Sequence, residues 1–293
     1  MTSLLDGLVV ASYGKRFGVE IKSDDGESRV ISCVTRGKKT DLACGDQVQV
    51  RMTSPNEAVV EKLKPRQSLL YRSNSMRSKM LAANVTQVII VLATTPSFYE
   101  ELLNRCLLAA ETANIRAVIV LNKCDLGDAE AVLARLEPYT ALGYTIQALS
   151  AHQDITPLRQ WLKGEVSVLV GQSGMGKSTI INQLLPGLQV RTQEVSSVLD
   201  SGKHTTTAAH LYHLDAESAL IDSPGLQEFG LHHLGPDELE MAFREFRPFL
   251  GKCRFANCRH LKEPGCAIHE AVASGAIASR RLDYYQQLRG EIS

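Results

Sequence analysis

The sequence predicts a multidomain protein with a β-barrel first, an α/β domain in the centre and a mainly α-helical domain last. Short β-like segments separated by Gly and Asp clusters fill residues 1–64. Strand-like and helix-like segments then alternate over residues 84–232, which is typical of a mainly parallel sheet covered on both faces. Three of the seven cysteines crowd into residues 253–266, within a last domain of residues 233–293. Residues 65–83 are interpreted as a linker between the first two domains.

The composition is that of an ordinary globular protein. Its 32 Lys and Arg residues balance 32 Asp and Glu residues, so any nucleic-acid contact must come from local basic patches. The first residues lack a basic flank and a long apolar run, so we expect no secretory signal. Apolar runs such as 88–93 are too short to span a bilayer, so we expect no membrane partner. The crowded cysteines favour a metal over disulfides, which predicts a cytoplasmic location.

Five β-like segments predict the fold of the N-terminal domain. They are Gly7–Ala11, Gly18–Ile21, Ser28–Ser32, Asp46–Val50 and Glu57–Glu61. A hairpin signal at residues 24–26 separates the second segment from the third. Five short strands suit a barrel of the OB-fold type, which often binds oligonucleotides. A β-domain used only for protein contacts is the alternative, and the pattern does not choose between them.

The predicted linker is strongly basic. Residues 62–79 include no acidic residue and contain Lys62, Lys64, Arg66, Arg72, Arg77 and Lys79. Pro65 and several serines are typical of a linker or arm. Such a segment, with Tyr71 among its charges, could lie along a nucleic-acid backbone. A solvated linker would have the same pattern.

The central domain is expected to alternate strands with helices. The predicted strands are Gln87–Leu92, Arg116–Leu121, Tyr144–Leu149, Val166–Val170, Ala208–Leu214 and Ser218–Ile221. The predicted helices are Ser97–Ala113, Asp128–Leu142, Pro157–Lys163 and a segment over Ile180–Leu185.

A phosphate-binding loop stands between the strand that ends at Val170 and the helix that follows it. Its pattern, G-x-x-x-x-G-K-[ST], needs glycines so that backbone N–H groups can turn around phosphate oxygens at a helix N-terminus. Lys177 would reach the β- and γ-phosphates, which also makes it a catalytic candidate, and Ser178 would ligate Mg²⁺. The nucleotide-binding residues of this loop are Gly171, Gln172, Ser173, Gly174, Met175, Gly176, Lys177, Ser178 and Thr179.

The nucleotide is predicted from four residues after another apolar strand: Asn122, Lys123, Cys124 and Asp125. The Asp125 carboxylate can accept two hydrogen bonds from the ring N–H and exocyclic amine of guanine, a pair that adenine does not offer. Asn122 can reach the purine, and the aliphatic stem of Lys123 can cover it. Ser150-Ala151, after the following strand, is similar to the short loop that contacts guanine in GTPases.

Two further segments are expected to complete a Mg²⁺ site. Asp222 ends an apolar strand and is followed three positions later by Gly225, which suits a metal–water contact and a γ-phosphate sensor. One of the threonines at 205–207 would complete the metal shell when GTP is bound. Thr206 is our candidate, although the pattern does not choose among the three.

The order of these motifs is that of a circularly permuted P-loop GTPase. A Ras-like GTPase has its phosphate loop before N-K-x-D, whereas here N-K-x-D and Ser150-Ala151 come first. The segment after Gly225 therefore leads directly into the C-terminal domain. Sensing of the γ-phosphate is thereby linked to that domain.

The sequence departs from the Ras-type motif at the residue that orients the attacking water. Ras-type enzymes place a glutamine after D-x-x-G, but this chain has Leu226, with Gln227 one position later. Leucine neither donates nor accepts a hydrogen bond, so intrinsic hydrolysis should be slow. His204 is our first candidate and Gln227 the second. An RNA-facing or merely exposed histidine is the alternative reading of His204.

The C-terminal cysteines have the spacing C-x₄-C-x-H-x₅-C. Cys253, Cys258, His260 and Cys266 match a closed tetrahedral structural Zn²⁺ site. His269 is a competitor for the fourth position, and unconnected buried cysteines are the alternative. A helix is expected from about Ala267 to Tyr285. The nearby cations suggest a surface that faces nucleic acid: Arg244, Arg247, Lys252, Arg254, Arg259, Lys262, Arg280 and Arg281.

Together these motifs resemble the RsgA (YjeQ) family, the bacterial small ribosomal subunit-dependent GTPases. The resemblance spans essentially the whole chain: an OB-like N-terminus, NKCD, GQSGMGKST, HTTT, DSPG and C-x₄-C-x-H-x₅-C, in that order. It implies a GTPase that binds rRNA and the small (30S) subunit late in maturation, with hydrolysis to GDP stimulated by the subunit. We also expect a monomer, with other assembly factors as further partners.

Two other classes of function compete with this interpretation. An RNA-binding assembly factor that uses GTP only as a conformational ligand would barely hydrolyse it. Leu226 favours that reading, and the Mg²⁺ and phosphate ligands oppose it. A P-loop kinase or ATPase is opposed by the N-K-x-D motif at 122–125.

Overall fold

The computed structural model describes residues 4–22, 26–36, 42–73, 78–187, 209–222 and 231–292. Within these ranges the three predicted domains are present. None of the helices described there is long and apolar enough to span a membrane.

The N-terminal domain is a closed five-stranded barrel. Its strands are β1 (Leu5–Tyr13), β2 (Arg16–Lys22), β3 (Ser28–Thr35), β4 (Gln47–Ser54) and β5 (Glu57–Leu63). β1 pairs with both β2 and β4, and β3 pairs in parallel with β5, so the ring closes in the order β1-β2-β3-β5-β4. Apolar side chains such as Val9, Val19, Ile31 and Val48 fill the interior. The predicted OB-type barrel is confirmed.

The segment interpreted as a basic linker is partly a β-hairpin. Strands β6 (Leu69–Ser73) and β7 (Ser78–Ala83) pair in antiparallel fashion. The hairpin forms because its apolar residues belong to the core of the central domain, where Leu70 is 1% and Leu81 is 7% exposed. The serines and cations of the segment suggested a linker, whereas burial of its apolar residues in the core of the central domain decides the structure.

Among the cations of this basic segment whose side chains the structure describes, Arg66 and Lys64 form ion pairs within the protein. The Arg66 guanidinium donates to both carboxylate oxygens of Asp46 at 2.7 Å, and the Asp46 side chain is completely buried. Lys64 pairs with Asp6 at 2.8 Å. The pair between Arg66 and Asp46 therefore fixes the end of the barrel to the start of the hairpin.

The central domain is built on a six-stranded part of the main sheet, in the order β10-β9-β8-β11-β13-β12. All neighbours pair in parallel except β12 and β13. The strands are β8 (Gln87–Ala93), β9 (Arg116–Asn122), β10 (Thr145–Ala148), β11 (Val166–Val170), β12 (Ala209–His213) and β13 (Ala219–Asp222). All six predicted strands are confirmed, with ends that differ by at most one residue.

The helices of the central domain are α1 (Glu100–Thr112), α2 (Ala129–Ala141), α3 (Thr156–Leu162) and α4 (Lys177–Leu184). Each lies within two or three residues of its predicted position. The start of α2 shows why its prediction succeeded, because the Asp128 carboxylate accepts from the Ala131 N–H at 3.0 Å as an N-cap.

The barrel and the central sheet share hydrogen-bonded strands. β1 pairs with β12 in antiparallel fashion, with Ala11 opposite His210 and Ser12 opposite Ala209. A register shift in β1 lies between Val9 and Ala11. Val9 therefore packs in the barrel core, whereas Val10 packs in the core of the central domain.

The C-terminal domain contains α5 (Pro236–Ala242), α6 (Ala267–Ala273) and α7 (Ser279–Ile292). The single helix expected over 267–285 is therefore wrong, since α6 ends before Gly275, which has a φ of +79°. Glycine adopts this left-handed conformation without a steric penalty and ends helices for that reason.

Four of the cations expected to face nucleic acid lie instead at the contact with the central domain. Arg244 and Arg247 both bind the Glu111 carboxylate, at 2.7 and 2.5 Å. Arg280 pairs with Glu100. Arg281 is only 7% exposed and binds Glu245 and Asn104. Sequence clustering did not reveal that their partners are on the neighbouring domain.

Candidate nucleotide-binding site and metal centre

The phosphate-binding loop connects β11 to α4 at the carboxyl edge of the parallel sheet. A Cβ atom on Gly171 would collide with the carbonyl oxygen of Val91, and one on Gly176 would collide with the Asn122 amide. Both glycines also have positive φ, 144° and 93°. The loop therefore requires glycine at these two positions, as the motif predicts. Met175 is fully buried below the loop.

Lys177 begins α4, and its ammonium group lies over the loop. Nζ donates to the carbonyl oxygens of Gly171 and Gln172 at 2.6 and 2.8 Å. Burial lowers the pKa of Lys177, and the charge of Asp222 opposes that shift. Ser178 is exposed on the first turn, and Thr179 is half-buried beside it.

Asp222 lies at the carboxyl end of β13, which pairs directly with β11. Burial raises the pKa of Asp222, and the positive charge of Lys177 acts in the opposite direction. A half-buried carboxylate opposite a lysine at the end of a parallel strand suits a group that meets a cation. Thr206, His204 and Gln227 lie outside the described residues.

Asn122 joins three of the predicted motifs. The side chain is 2% exposed, Nδ2 donates to the Met175 carbonyl at 3.0 Å, and Oδ1 accepts from the Ala151 N–H at 2.9 Å. This amide therefore holds the phosphate loop and the loop at Ser150-Ala151 together, a role the sequence analysis did not anticipate. Ser150 and Ala151 are both buried.

The other residues of the guanine motif are more exposed than Asn122. Lys123 has a φ of +60°, and its Nζ donates to the Thr95 carbonyl at 3.0 Å. Cys124 is half-buried, and its Sγ donates to the Leu121 carbonyl. Asp125 is exposed, and the neighbouring Ser150 hydroxyl lowers the pKa of its carboxyl. A negatively charged acceptor therefore stands at the mouth of the site.

The loop at residues 94–99, which no sequence motif marks, packs against both motifs. Thr94 Oγ1 donates to the Lys123 carbonyl at 2.6 Å, and the Tyr99 N–H donates to Gln172 Oε1 at 3.3 Å. The loop follows β8, the strand beside β11. The carboxyl ends of central parallel strands line ligand crevices, and that was the available signal.

The C-terminal cysteines and His260 form one cluster. The ligand atoms of Cys253, Cys258, His260 and Cys266 all lie within 4.8 Å of one another. His260 Nδ1 is 3.6 Å from Cys253 Sγ, 3.6 Å from Cys258 Sγ and 3.2 Å from Cys266 Sγ. His269 does not belong to this cluster, since its Nε2 lies 2.9 Å from the Leu261 carbonyl.

The donor set of this cluster fits a closed tetrahedral metal site. Cys253 Sγ and Cys266 Sγ are 4.0 Å apart, about twice the length of a disulfide bond. Burial raises the pKa of the Cys258 and Cys266 thiols, and a bound cation would reverse this by stabilising thiolates. Three thiols and one imidazole leave no position for a reactive water.

The loop that carries the cluster exposes cations and apolar side chains. Phe255 is 42% and Leu261 is 40% exposed. The Arg254 guanidinium lies 5.5 Å from the centre of the Phe255 ring. The cations exposed on this loop are Lys252, Arg254, Arg259 and Lys262.

Comparison with known proteins agrees with this architecture. Residues 63–232 match the RsgA GTPase family. A Nitrosospira multiformis protein named small ribosomal subunit biogenesis GTPase RsgA is 50% identical over 285 residues, which cover 97% of this chain and 90% of that protein. The protein of the same name from Nitrosomonas europaea is 48% identical over 288 residues, with 97% and 90% covered.

Two solved structures resemble the whole chain. YjeQ from Thermotoga maritima has a TM-score of 0.75 at 30% identity and covers 99% of both chains. YloQ, described as a circularly permuted GTPase, has a TM-score of 0.72 at 25% identity and covers 99% of this chain and 95% of its own. On its motifs, its fold and these relationships, the chain belongs to the RsgA GTPase family.

Proposed function

We propose that this chain binds the small ribosomal subunit and its rRNA, hydrolyses GTP to GDP and phosphate there, and acts late in maturation of that subunit. The relatives are named for small ribosomal subunit biogenesis. The observation that carries the proposal is the joining of the guanine motif to the phosphate loop through Asn122. This contact brings the groups that would recognise guanine and triphosphate to one edge of the sheet.

In this proposal Asp125 accepts the ring N–H and exocyclic amine of guanine, and the stem of Lys123 covers the base. The backbone N–H groups of residues 171–176 bind the phosphates. Lys177 leaves the carbonyls it now contacts to neutralise charge on the β- and γ-phosphates. Ser150-Ala151 closes the site beside guanine.

Ser178, Asp222 and one of the threonines at 205–207, with Thr206 as candidate, would hold Mg²⁺. When bound, this ion would neutralise negative charge that develops on the phosphate oxygens. His204, or Gln227 as second candidate, would orient the attacking water. Since Leu226 stands where related GTPases have glutamine, contacts made on the ribosomal subunit would supply the missing stimulation.

We also infer that the cluster at residues 253–266 holds one structural Zn²⁺, because three thiolates and one imidazole suit this ion. The exposed cations and Phe255 on its loop would contact rRNA. The barrel would provide a second RNA-binding surface. A ribosomal partner implies a cytoplasmic protein, which we propose acts as a monomer and meets other assembly factors on the subunit.

A second candidate function is an RNA-binding assembly factor in which GTP acts only as a conformational ligand, with negligible hydrolysis. Leu226 is the observation that favours it. The Mg²⁺ and phosphate ligands at Ser178 and Asp222 favour hydrolysis instead.

Steady-state hydrolysis by the full chain, alone and with purified small or large ribosomal subunits, tests the proposal. We expect slow turnover of GTP that rises with small subunits only, and little turnover of ATP. Lys177→Ala should abolish it, whereas Lys163→Ala, at an exposed lysine on the same domain, should not. Turnover that ignores the subunit while GTP still controls subunit binding would favour the second candidate.

Two further variants test which residue orients the attacking water. His204→Ala should remove the stimulated turnover and leave GTP affinity unchanged, and Gln227→Ala should have the smaller effect. The opposite ranking would transfer the role to Gln227. Retention of full turnover by both variants would exclude both residues.

A further inference from the structure

The imidazole of His260 is held so that its two nitrogens face different partners. The ring is almost fully buried, and Nδ1 points at the three cysteine sulfurs. Nε2 points the other way, 3.7 Å from Oε2 of Glu240. His260 also has a φ of +58°, and its carbonyl accepts from Gln286 Nε2 at 2.7 Å. The backbone and the ring are therefore both fixed by surrounding contacts.

Glu240 is placed to act on this ring from another element of the domain. It lies on α5, which packs against α1 of the central domain, and its side chain is 17% exposed. Its other oxygen, Oε1, accepts from the Tyr285 hydroxyl at 3.0 Å and lies 3.4 Å from Arg289 Nη1. The carboxylate is therefore oriented by α7, with Oε2 left toward His260.

We propose that Glu240 is a positioning residue for the metal centre, whose carboxylate faces Nε2 of His260 at 3.7 Å, within ion-pair distance, and holds the ring so that Nδ1 is the ligating nitrogen. This proposal rests on the assignment of Zn²⁺ to the cluster. A histidine that ligates a metal usually donates its other N–H to a carboxylate or carbonyl, which fixes the tautomer and makes the ligand more basic. Because Glu240 is on α5, it also ties the metal loop to the helix that contacts the central domain.

The test is the rate at which the zinc-loaded full chain releases its metal to excess 4-(2-pyridylazo)resorcinol under native conditions. Loss of an outer partner of this kind typically costs about 10- to 100-fold in metal affinity. We expect release from Glu240→Ala to be faster by about that factor. Glu240→Gln should be intermediate, because its amide oxygen can still face Nε2 of His260 but carries no charge.

Two variants separate this role from helix packing. Asp237→Asn removes an exposed carboxylate from the same helix and should leave the release rate unchanged. Tyr285→Phe removes the hydroxyl that orients Glu240 but keeps the ring and the carboxylate, so release should be faster than from the wild type and slower than from Glu240→Ala. In the cobalt-substituted protein, the visible absorption bands should shift for Glu240→Ala and not for Asp237→Asn, since only the former frees the ligating ring.

Three results would overturn the proposal. Wild-type release rates in both Glu240 variants, with one zinc per chain, would show that the carboxylate does not act on the metal. Release from Asp237→Asn as fast as from Glu240→Ala would assign the effect to the stability of α5. A wild-type chain that holds no zinc would refute the metal assignment first and this proposal with it. Circular dichroism verifies that each variant is folded, and the isosteric Glu240→Gln keeps the test valid if Glu240→Ala is not.

Discussion

Asn122 Nδ2 donates to the carbonyl oxygen of Met175 at 3.0 Å, although the two residues are 53 positions apart in the sequence. The same amide accepts from the Ala151 N–H. One buried side chain therefore connects three loops that would bind different parts of one ligand. The two hydrogen bonds of Asn122 would therefore couple guanine binding at one end of the site to the conformation of the phosphate loop at the other.

The first prediction concerns this amide. Asn122→Ala should lower GTP affinity and destabilise the fold, because the Met175 carbonyl and the Ala151 N–H would each lose a partner. A buried polar group left unpaired costs about 1–3 kcal/mol. Fluorescent nucleotide binding and urea unfolding measure the two effects. Asn257→Ala, at an exposed asparagine, is the control and should change neither. Unchanged affinity in Asn122→Ala would refute the joining role.

A second prediction tests the base specificity assigned to Asp125. Asp125→Asn should weaken GTP binding by about 100-fold, because hydrogen bonds to a charged acceptor contribute about 1.5–3 kcal/mol each. The amide can donate as well as accept, so binding of xanthosine triphosphate should improve. Competition between the two nucleotides in wild type and variant measures this. A parallel loss for both nucleotides would place Asp125 outside base recognition.

The third prediction concerns the buried pair that fixes the hairpin to the barrel. Arg66→Ala would leave the Asp46 carboxylate buried without its guanidinium partner, which typically costs about 3–5 kcal/mol. Lys64→Ala breaks the neighbouring, more exposed pair with Asp6 and should change stability little. Chemical unfolding followed by circular dichroism compares them. Similar losses in both variants would contradict the distinction in burial.

A fourth prediction follows from the pair between Glu20 and His213, which links the barrel to β12 at 2.8 Å. The hydrogen bond from Glu20 raises the pKa of His213 above its ordinary 6.5, and that bond lowers the pKa of Glu20 below its ordinary 4.5. The raised histidine stabilises the fold fully below about pH 6.5 and less as pH rises through its folded pKa. The lowered carboxyl stabilises above about pH 4.5 and less as pH falls through its folded pKa.

The pair should therefore stabilise the fold most between about pH 4.5 and 6.5. The difference in unfolding free energy between wild type and His213→Gln should be larger at pH 5.5 than at pH 8. It should stay below about 1 kcal/mol, because solvent screens a half-exposed pair. Equal differences at the two pH values would show that the histidine is neutral throughout. His152→Gln, at another exposed histidine, serves as the reference.

The sequence predicted the parts of this molecule that depend on local pattern. The five barrel strands and the strands of the central sheet follow from alternating or continuous apolar residues, and the glycines at 171 and 176 follow from a loop that excludes Cβ atoms. The metal cluster follows from spacing alone, because all four candidate ligands lie within one short loop.

Contacts between distant parts of the chain were beyond that pattern. Arg66 and Arg281 looked like surface cations, but their carboxylate partners make them internal. No sequence motif marks Thr94, although its hydroxyl donates to the carbonyl of Lys123 in the guanine motif. The break between α6 and α7 depends on Gly275, which a helical pattern tolerates in sequence but not at a φ of +79°.

The pairing of β1 with β12 has a consequence for how the chain can be divided. An uncovered outer strand presents unpaired N–H and C=O groups to any other extended chain and invites self-association. Here the barrel covers that side of the central sheet over Ala11–Ser12 and Ala209–His210. The barrel thus protects the central sheet from self-association, in addition to the RNA-binding surface proposed for it. A truncated chain that begins after residue 64 would expose the unpaired edge of β12. Its solubility should therefore be lower than that of the full chain.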